Sequence, residues 1–228
     1  MSATPMAHAF HIKTVMVEAP PVETKSLADV LVDRSKPRGN PEILAQIREK
    51  MSDDNFDLND LAQIVKGDEK LCERIISTAN SAWFGCRVEI EDVESAVAQL
   101  GASQFSDLVL CCFLRLGLRV PLKKRTEFAD HSELVANVCR QIGQQLQWSS
   151  TDDAFITDLF QDCGAPLLLN QNQSYSGMYD SAIGCADDLT KREFVAFGAD
   201  HGLLGSLACQ QWNLPDEVCT AIRLHHCT

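Results

Sequence analysis

The chain has 228 residues, with 32 acidic against 20 basic side chains and a formal net charge of −12. A surface this acidic excludes general nucleic-acid binding, which needs clustered Lys and Arg, and it repels anionic membranes and free nucleotides unless a basic pocket compensates. At 45% hydrophobic and 23% charged, the composition is that of a globular chain long enough to bury a core without disulfides or metal.

Residues 1–34, with Pro5, Pro20 and Pro21, hold no sustained period and read as a flexible tail with room for one short helix. No apolar stretch in residues 1–26 is long enough for a signal peptide. From residue 35 to 228 the pattern is that of one helical domain. Asn40 caps a helix with Pro41 at its first position, and Ile43, Leu44, Ile47 and Met51 mark its inner face. Asp57 starts a second helix with Leu58, Leu61, Ile64 and Val65 inward, and Gly67 stops it. Asp68 caps a third, whose apolar face is Leu71, Cys72, Ile75, Ile76 and Ala79. Helices follow at 93–100, ended by Gly101, and from Gln104 to about Leu116.

A basic run, Lys123-Lys124-Arg125 with Arg119 nearby, reads as a solvated loop, with docking of an acidic partner as the lesser alternative. The strongest period comes next: Leu134, Val135, Val138, Cys139, Ile142 and Leu146 predict an amphipathic helix from His131 to Gln147. A helix at 152–160 uses Ala154, Phe155, Ile156, Leu159 and Phe160. Residues 170–188 are the least regular stretch, and the chain ends with helices at about 200–211 and 215–226, the second opened by Pro215. Gly198, Gly202 and Gly205 read as close-packing positions. No segment alternates as a strand does, so the expected fold class is an all-α multi-helix bundle.

Ten cysteines are present (Cys72, Cys86, Cys111, Cys112, Cys139, Cys163, Cys185, Cys209, Cys219 and Cys227) with no Cys-x-x-Cys pair, which removes the zinc-ribbon and thioredoxin-like patterns. Set among apolar residues, they read as small core hydrophobes kept reduced in the cytoplasm, with redox sensing at Cys111 and Cys112 the alternative. The longest uninterrupted apolar run, Leu108 to Leu114, is far short of a membrane span. Trp83 and Phe84 read as core anchors. No Walker loop, nucleophile elbow or Rossmann glycine pattern occurs.

The order and spacing of several short strings carry a resemblance. Ala79-Asn80-Ser81-Ala82-Trp83-Phe84-Gly85, then Ala96 and Leu100-Gly101, are followed by His131-Ser132, Asp200-His201 with Gly205, Trp212-Asn213-Leu214-Pro215 and His225-His226. Together they resemble the HDOD (HD-related output) domain over about residues 35–226. The resemblance implies a helical regulatory module related to HD and HD-GYP metal-dependent phosphohydrolases. In the catalytic relatives a His opens one helix and a His-Asp pair stands about 30 residues later, where together they bind divalent metal. Here His131 stands 30 and 31 residues before Gln161 and Asp162, so Gln161 occupies the place of the metal-binding His. An amide oxygen is a weak neutral ligand, and Gly164-Ala165 replaces the Gly-Lys that commonly follows.

The expectation is therefore a degenerate metal site with no catalytic residue, no metal and no cofactor. His131, Asp162, His201, His225 and His226 stand where the resemblance would put ligands if an ion were held. His225 and His226, roughly 100° apart around a helix, are not expected to converge on one ion, and His131 and His201 read as buried polar groups bonded to Asp162 or to backbone. The implied function is a non-catalytic bacterial signal-transduction module in the cytoplasm, acting through signalling proteins and not through nucleic acid or membrane. A divergent phosphohydrolase or phosphodiesterase using the residual cluster is the alternative, and a nucleotide-ligand sensor the second. Related domains often continue with further helices, so the chain reads either as part of a longer protein or as a compact stand-alone version.

Overall fold

The computed structural model describes residues 40–226 apart from 54, 81–87, 119–121, 149–150, 172–173 and 182–185. The expected tail, Trp83, Phe84, Arg119, Cys86, Cys185 and Cys227 lie outside the described residues. Among the described residues there are helices and no strand: α1 Pro41–Met51, α2 Leu58–Val65, α3 Glu69–Ala79, α4 Val93–Gly117, α5 Leu122–Gln145, α6 Thr151–Phe160, α7 Ala165–Gln171, α8 Tyr175–Ser181, α9 Ala186–Phe197, α10 His201–Gln211 and α11 Asp216–Leu224.

Capping sets the starts of the first helices. Asn40, Asp57 and Asp68 each accept a backbone N–H of the first turn, as their positions in the sequence predict. Ile43, Leu44, Ile47, Leu61, Val65, Leu71 and Ile75 are buried as expected, while Met51 and Leu58 lie at the solvent edge. Asn80, just past α3, closes the connection to α4 by a two-way pair with Ile90: its amide donates to the Ile90 carbonyl, and the Ile90 N–H returns to its side-chain oxygen, both at 2.8 Å.

The hub is α4, which packs against α1, α2, α3, α5 and α6. It is long and apolar enough to cross a bilayer by length and composition, but its Phe105, Leu108, Val109, Cys112 and Phe113 are buried in the main core. The helix breaks at Gly101 (φ 73°, ψ 175°), the stop expected there. Cys111 and Cys112 are buried, and burial pushes the Cys112 thiol up to about 12; both are therefore protonated core groups and poor redox sensors.

Three expectations change. Helix α5 starts nine residues earlier than predicted, at Leu122, so Lys123–Arg125 belong to its first turn, where Lys123 and Lys124 face Glu127. Its orientation is also reversed. The inward side carries Ala129, Ser132, Glu133 and Ala136, because Arg115 of α4 grips Glu133 through two hydrogen bonds and reaches Asp130. Arg140 pairs with Asp107 and lies 3.8 Å over the Phe155 ring. Leu134, Val138, Ile142 and Leu146 consequently face out. Finally, the irregular stretch 170–188 holds α8 and parts of α7 and α9; these turns are too short and amide-rich to show a period, and buried Tyr175 anchors them in a second, smaller core.

Candidate functional site

Four segments meet where the smaller core borders the main one. The turn 161–164 follows α6, α10 begins at His201, α11 ends at Leu224, and α9 runs alongside the start of α10. Glycines set the approach. A Cβ on Gly164 would stand 2.0 Å from the His201 carbonyl oxygen and 2.6 Å from the Gly205 nitrogen, so the 161–164 turn lies directly on the α10 backbone. Gly202 and Gly205 bring α10 against Ile222 of α11. Gly198 differs from expectation: it is an exposed left-handed residue (φ 71°) that ends α9, with its N–H donating to the Phe194 carbonyl.

This packing assembles Asp162, His201, His225 and His226, each offering one ligand atom, with all four atoms within 4.8 Å of one another. His201 Nε2 lies 2.8 Å from His226 Nε2 and 3.5 Å from Asp162 Oδ1, and His225 Nε2 is 3.7 Å from the same oxygen. The expectation that His225 and His226 diverge is overturned. Both lie in the terminal turn just past Leu224, where His225 still has helical dihedrals, and their ring centroids are 3.9 Å apart. His131 does not join them. It sits exposed in the middle of α5, because the helix starts upstream of it and its buried face runs through Ser132 and Glu133. Gln161 is half-buried in the turn beside Asp162.

The sequence reading missed Glu193, which is fully buried on α9. Its carboxylate accepts the His201 backbone N–H at 2.9 Å and stands 2.7 Å from His201 Nδ1, while the Tyr175 hydroxyl donates to its other oxygen. The available signal was its spacing of four from Leu189 on an inward helical face. A carboxylate on Nδ1 fixes the imidazole with Nδ1 protonated and turns the Nε2 lone pair toward the cluster. The Ile222 carbonyl, 2.6 Å from His225 Nδ1, does the same for that ring. His225 Nε2 is then buried without a hydrogen-bond partner.

The electrostatics are those of a site that concentrates lone pairs. Burial alone would raise the Asp162 carboxyl, but the three imidazoles outweigh it and hold the group below its ordinary value. Burial also pushes His225 down, yet the Asp162 carboxylate and the Ile222 carbonyl raise it overall; His226 is lowered by burial and by its two imidazole neighbours. The resemblance to HD-type metal-binding domains implies a divalent ion, and the groups present fit one. Three imidazoles and one carboxylate suit Zn, Fe or Mn, donors bonded to a single ion stand roughly 3 Å apart, and His225 Nε2 is buried with no hydrogen-bond partner, facing Asp162 at 3.7 Å.

The comparisons agree with this architecture. A family model for the HDOD domain matches residues 39–228. A Treponema pallidum (strain Nichols) protein of uncharacterised function is 22% identical over 212 residues; the match takes in 90% of this chain, which spans 40% of that protein's length. Among solved structures, an HDOD-domain protein of unknown function from Geobacter sulfurreducens superposes with a TM-score of 0.68 at 22% identity, covering 88% of this chain and 69% of that one. A candidate phosphohydrolase from Shewanella amazonensis SB2B gives 0.66 at 19% identity, covering 89% and 72%. A candidate signal-transduction protein from Marinobacter aquaeolei VT8 gives 0.67 at 20% identity, covering 90% and 46%. At these identities the structural likeness establishes the fold.

Proposed function

The chain belongs to the HDOD domain family, and from that premise we propose that it is a cytoplasmic regulatory module of a bacterial signalling system that recognises a protein partner and does not hydrolyse phosphoesters. Residues 35–228 form the working unit, with 1–34 an appended tail. The observation that carries this reading is the make-up of the polar centre. Its four converging donors are enough for one ion, while Gln161 stands where the catalytic relatives carry a metal His and His131 points to solvent from another helix.

Three of the four donors are also largely buried. The His201 side chain is 1% exposed, that of His225 11% and that of Asp162 18%, with His226 half-buried, so a phosphoester could approach only from the His226 side. An ion bound there would supply positive charge that ties Asp162, His201, His225 and His226 together. The chain's own groups orient it: Glu193 and the Ile222 carbonyl fix the two imidazoles, and Tyr175 holds Glu193 in turn. The resulting role is to brace the 161–164 turn, α10 and α11 into a fixed surface for a partner. The charge of −12 favours a neutral or basic protein face over nucleic acid or an anionic membrane.

The purified protein, supplied in turn with Mn²⁺, Fe²⁺ and Zn²⁺, is to be assayed on generic phosphodiester, phosphomonoester and nucleotide substrates beside its Asp162→Ala variant. Equal, background-level rates are expected. Turnover that disappears in Asp162→Ala and in His201→Ala overturns the reading in favour of a divergent phosphohydrolase.

A further inference from the structure

Helix α5 is built inside out. Its buried side is small or charged, with Ala129, Ser132, Glu133, Ala136 and Arg140 turned to α4 and α6, while its outer side carries an apolar row. That row is Leu134, Val138, Ile142 and Leu146, which are 50%, 46%, 47% and 60% exposed, continued by Trp148 at 51%. Spaced by four, these residues form one ridge about 18 Å long. Isolated exposed apolar residues need no explanation; a contiguous ridge on a helix does.

Two features of the ridge point to its occupant. The first is charge. On a chain of net charge −12, residues 131–148 hold two ionised side chains, Glu133 and Arg140; both are largely buried and both are paired. The polar groups flanking the ridge are amides: Gln141, Gln144, Gln145 and Gln147 are exposed there. The nearest exposed carboxylates, Asp130 and Asp152, are each paired with an arginine, so a strongly acidic partner, which an identical chain is, meets no unpaired like charge along residues 131–148, and a basic partner finds no free carboxylate there. The second is symmetry. The four apolar positions are placed evenly about residue 140. A two-fold axis through that point pairs Val138 of one copy with Ile142 of the other and Leu134 with Leu146, so the ridge is complementary to itself. Rows spaced by four interdigitate in antiparallel helix pairs of this kind.

We propose that the α5 ridge is the interface of a homodimer, in which α5 of one copy crosses α5 of a second copy about a two-fold axis near Arg140. The inference does not depend on the reading of the polar centre. The test uses the full chain in analytical ultracentrifugation over a wide concentration range. A monomer–dimer equilibrium is expected for the wild type, and Val138→Glu and Ile142→Lys are each expected to halve the limiting mass, because both sites are exposed in the single chain and the fold is kept. Mixing the two variants is expected to restore a dimer of one copy of each. The carboxylate introduced at position 138 of one copy then faces the ammonium introduced at position 142 of the other, while the unaltered Ile142 and Val138 of those copies still meet. Circular dichroism verifies folding of each variant. A wild type that stays monomeric overturns the proposal: in favour of cover by residues 1–39 if Ile142→Lys lowers its melting temperature, and of a different partner protein if it does not. A dimer that survives both substitutions, or variants that do not pair when mixed, overturns the two-fold seating on α5.

Discussion

At Gly164 an added methyl would collide with backbone, not with a side chain that could swing away: the His201 carbonyl oxygen and the Gly205 nitrogen lie within 2.6 Å of where it would sit. Relief requires the turn carrying Asp162 to move off α10. Gly164→Ala is expected to destabilise the fold by about 1–3 kcal/mol, lowering the melting temperature by several degrees, and to weaken divalent-metal binding as well, since the donors separate. A variant that melts with the wild type would mean that the turn is not held by this contact. Glu193 acts at the same scale through His201. Glu193→Gln keeps the shape but removes the charge and one of the two acceptor oxygens, so it is expected to lower Co²⁺ affinity by about 10–100-fold, read from the visible absorption of the cobalt-loaded protein. Unchanged affinity would leave Glu193 a structural group only. Neither role has a local motif: Gly164 was legible only as the retained glycine of a Gly-Lys pattern whose Lys is Ala165, while its contact with α10 joins residues about forty positions apart, and Glu193 stands in a run (Arg192-Glu193-Phe194-Val195) that resembles any amphipathic helix.

Helix boundaries were legible where a cap marks them. Asn40, Asp57, Asp68 and Asp200 each accept a first-turn N–H, and the break at Gly101 follows from a conformation, φ 73° with ψ 175°, that other residues avoid. Nothing lies within 4 Å of a Cβ added at Gly101, so Gly101→Ala tests backbone strain alone. It is expected to cost about 1–3 kcal/mol in urea denaturation, with no effect on metal affinity, in contrast to Gly164→Ala. A neutral result would place the break elsewhere. The start of α5 was not legible, because it has no acidic or hydroxyl cap and its basic first turn resembles a loop. Its facing was misread for a physical reason: periodicity shows that one side is apolar, not which side the core lies on. Arg115 and Arg140, each held by acidic partners, decide that instead.

Across the whole molecule, the polar centre links segments that contribute to separate cores. Asp162 follows α6 of the main core, His201 opens a helix whose Leu204 and Ala208 belong to the smaller one, and His225 and His226 close α11, which packs on both α6 and α10. An ion bound by all four acts on the folded state alone, because the unfolded chain scatters these residues over more than sixty positions. Binding therefore adds to stability according to its saturation: at a free metal concentration one hundred times Kd, about 2.7 kcal/mol, or roughly 5–10 °C in the melting temperature of a chain this size. Removing ions with a chelator should reverse the shift, and the double variant His225→Ala/His226→Ala should show none of it. A shift that persists in the double variant would move the ion elsewhere. The absence of any shift in the wild type would leave the cluster as a hydrogen-bonded brace, with His201 and His226 sharing a proton across their 2.8 Å contact. In both cases the centre couples α10 and α11 to the turn after α6, so substitutions there are expected to alter stability before they alter any chemistry, as the regulatory reading requires.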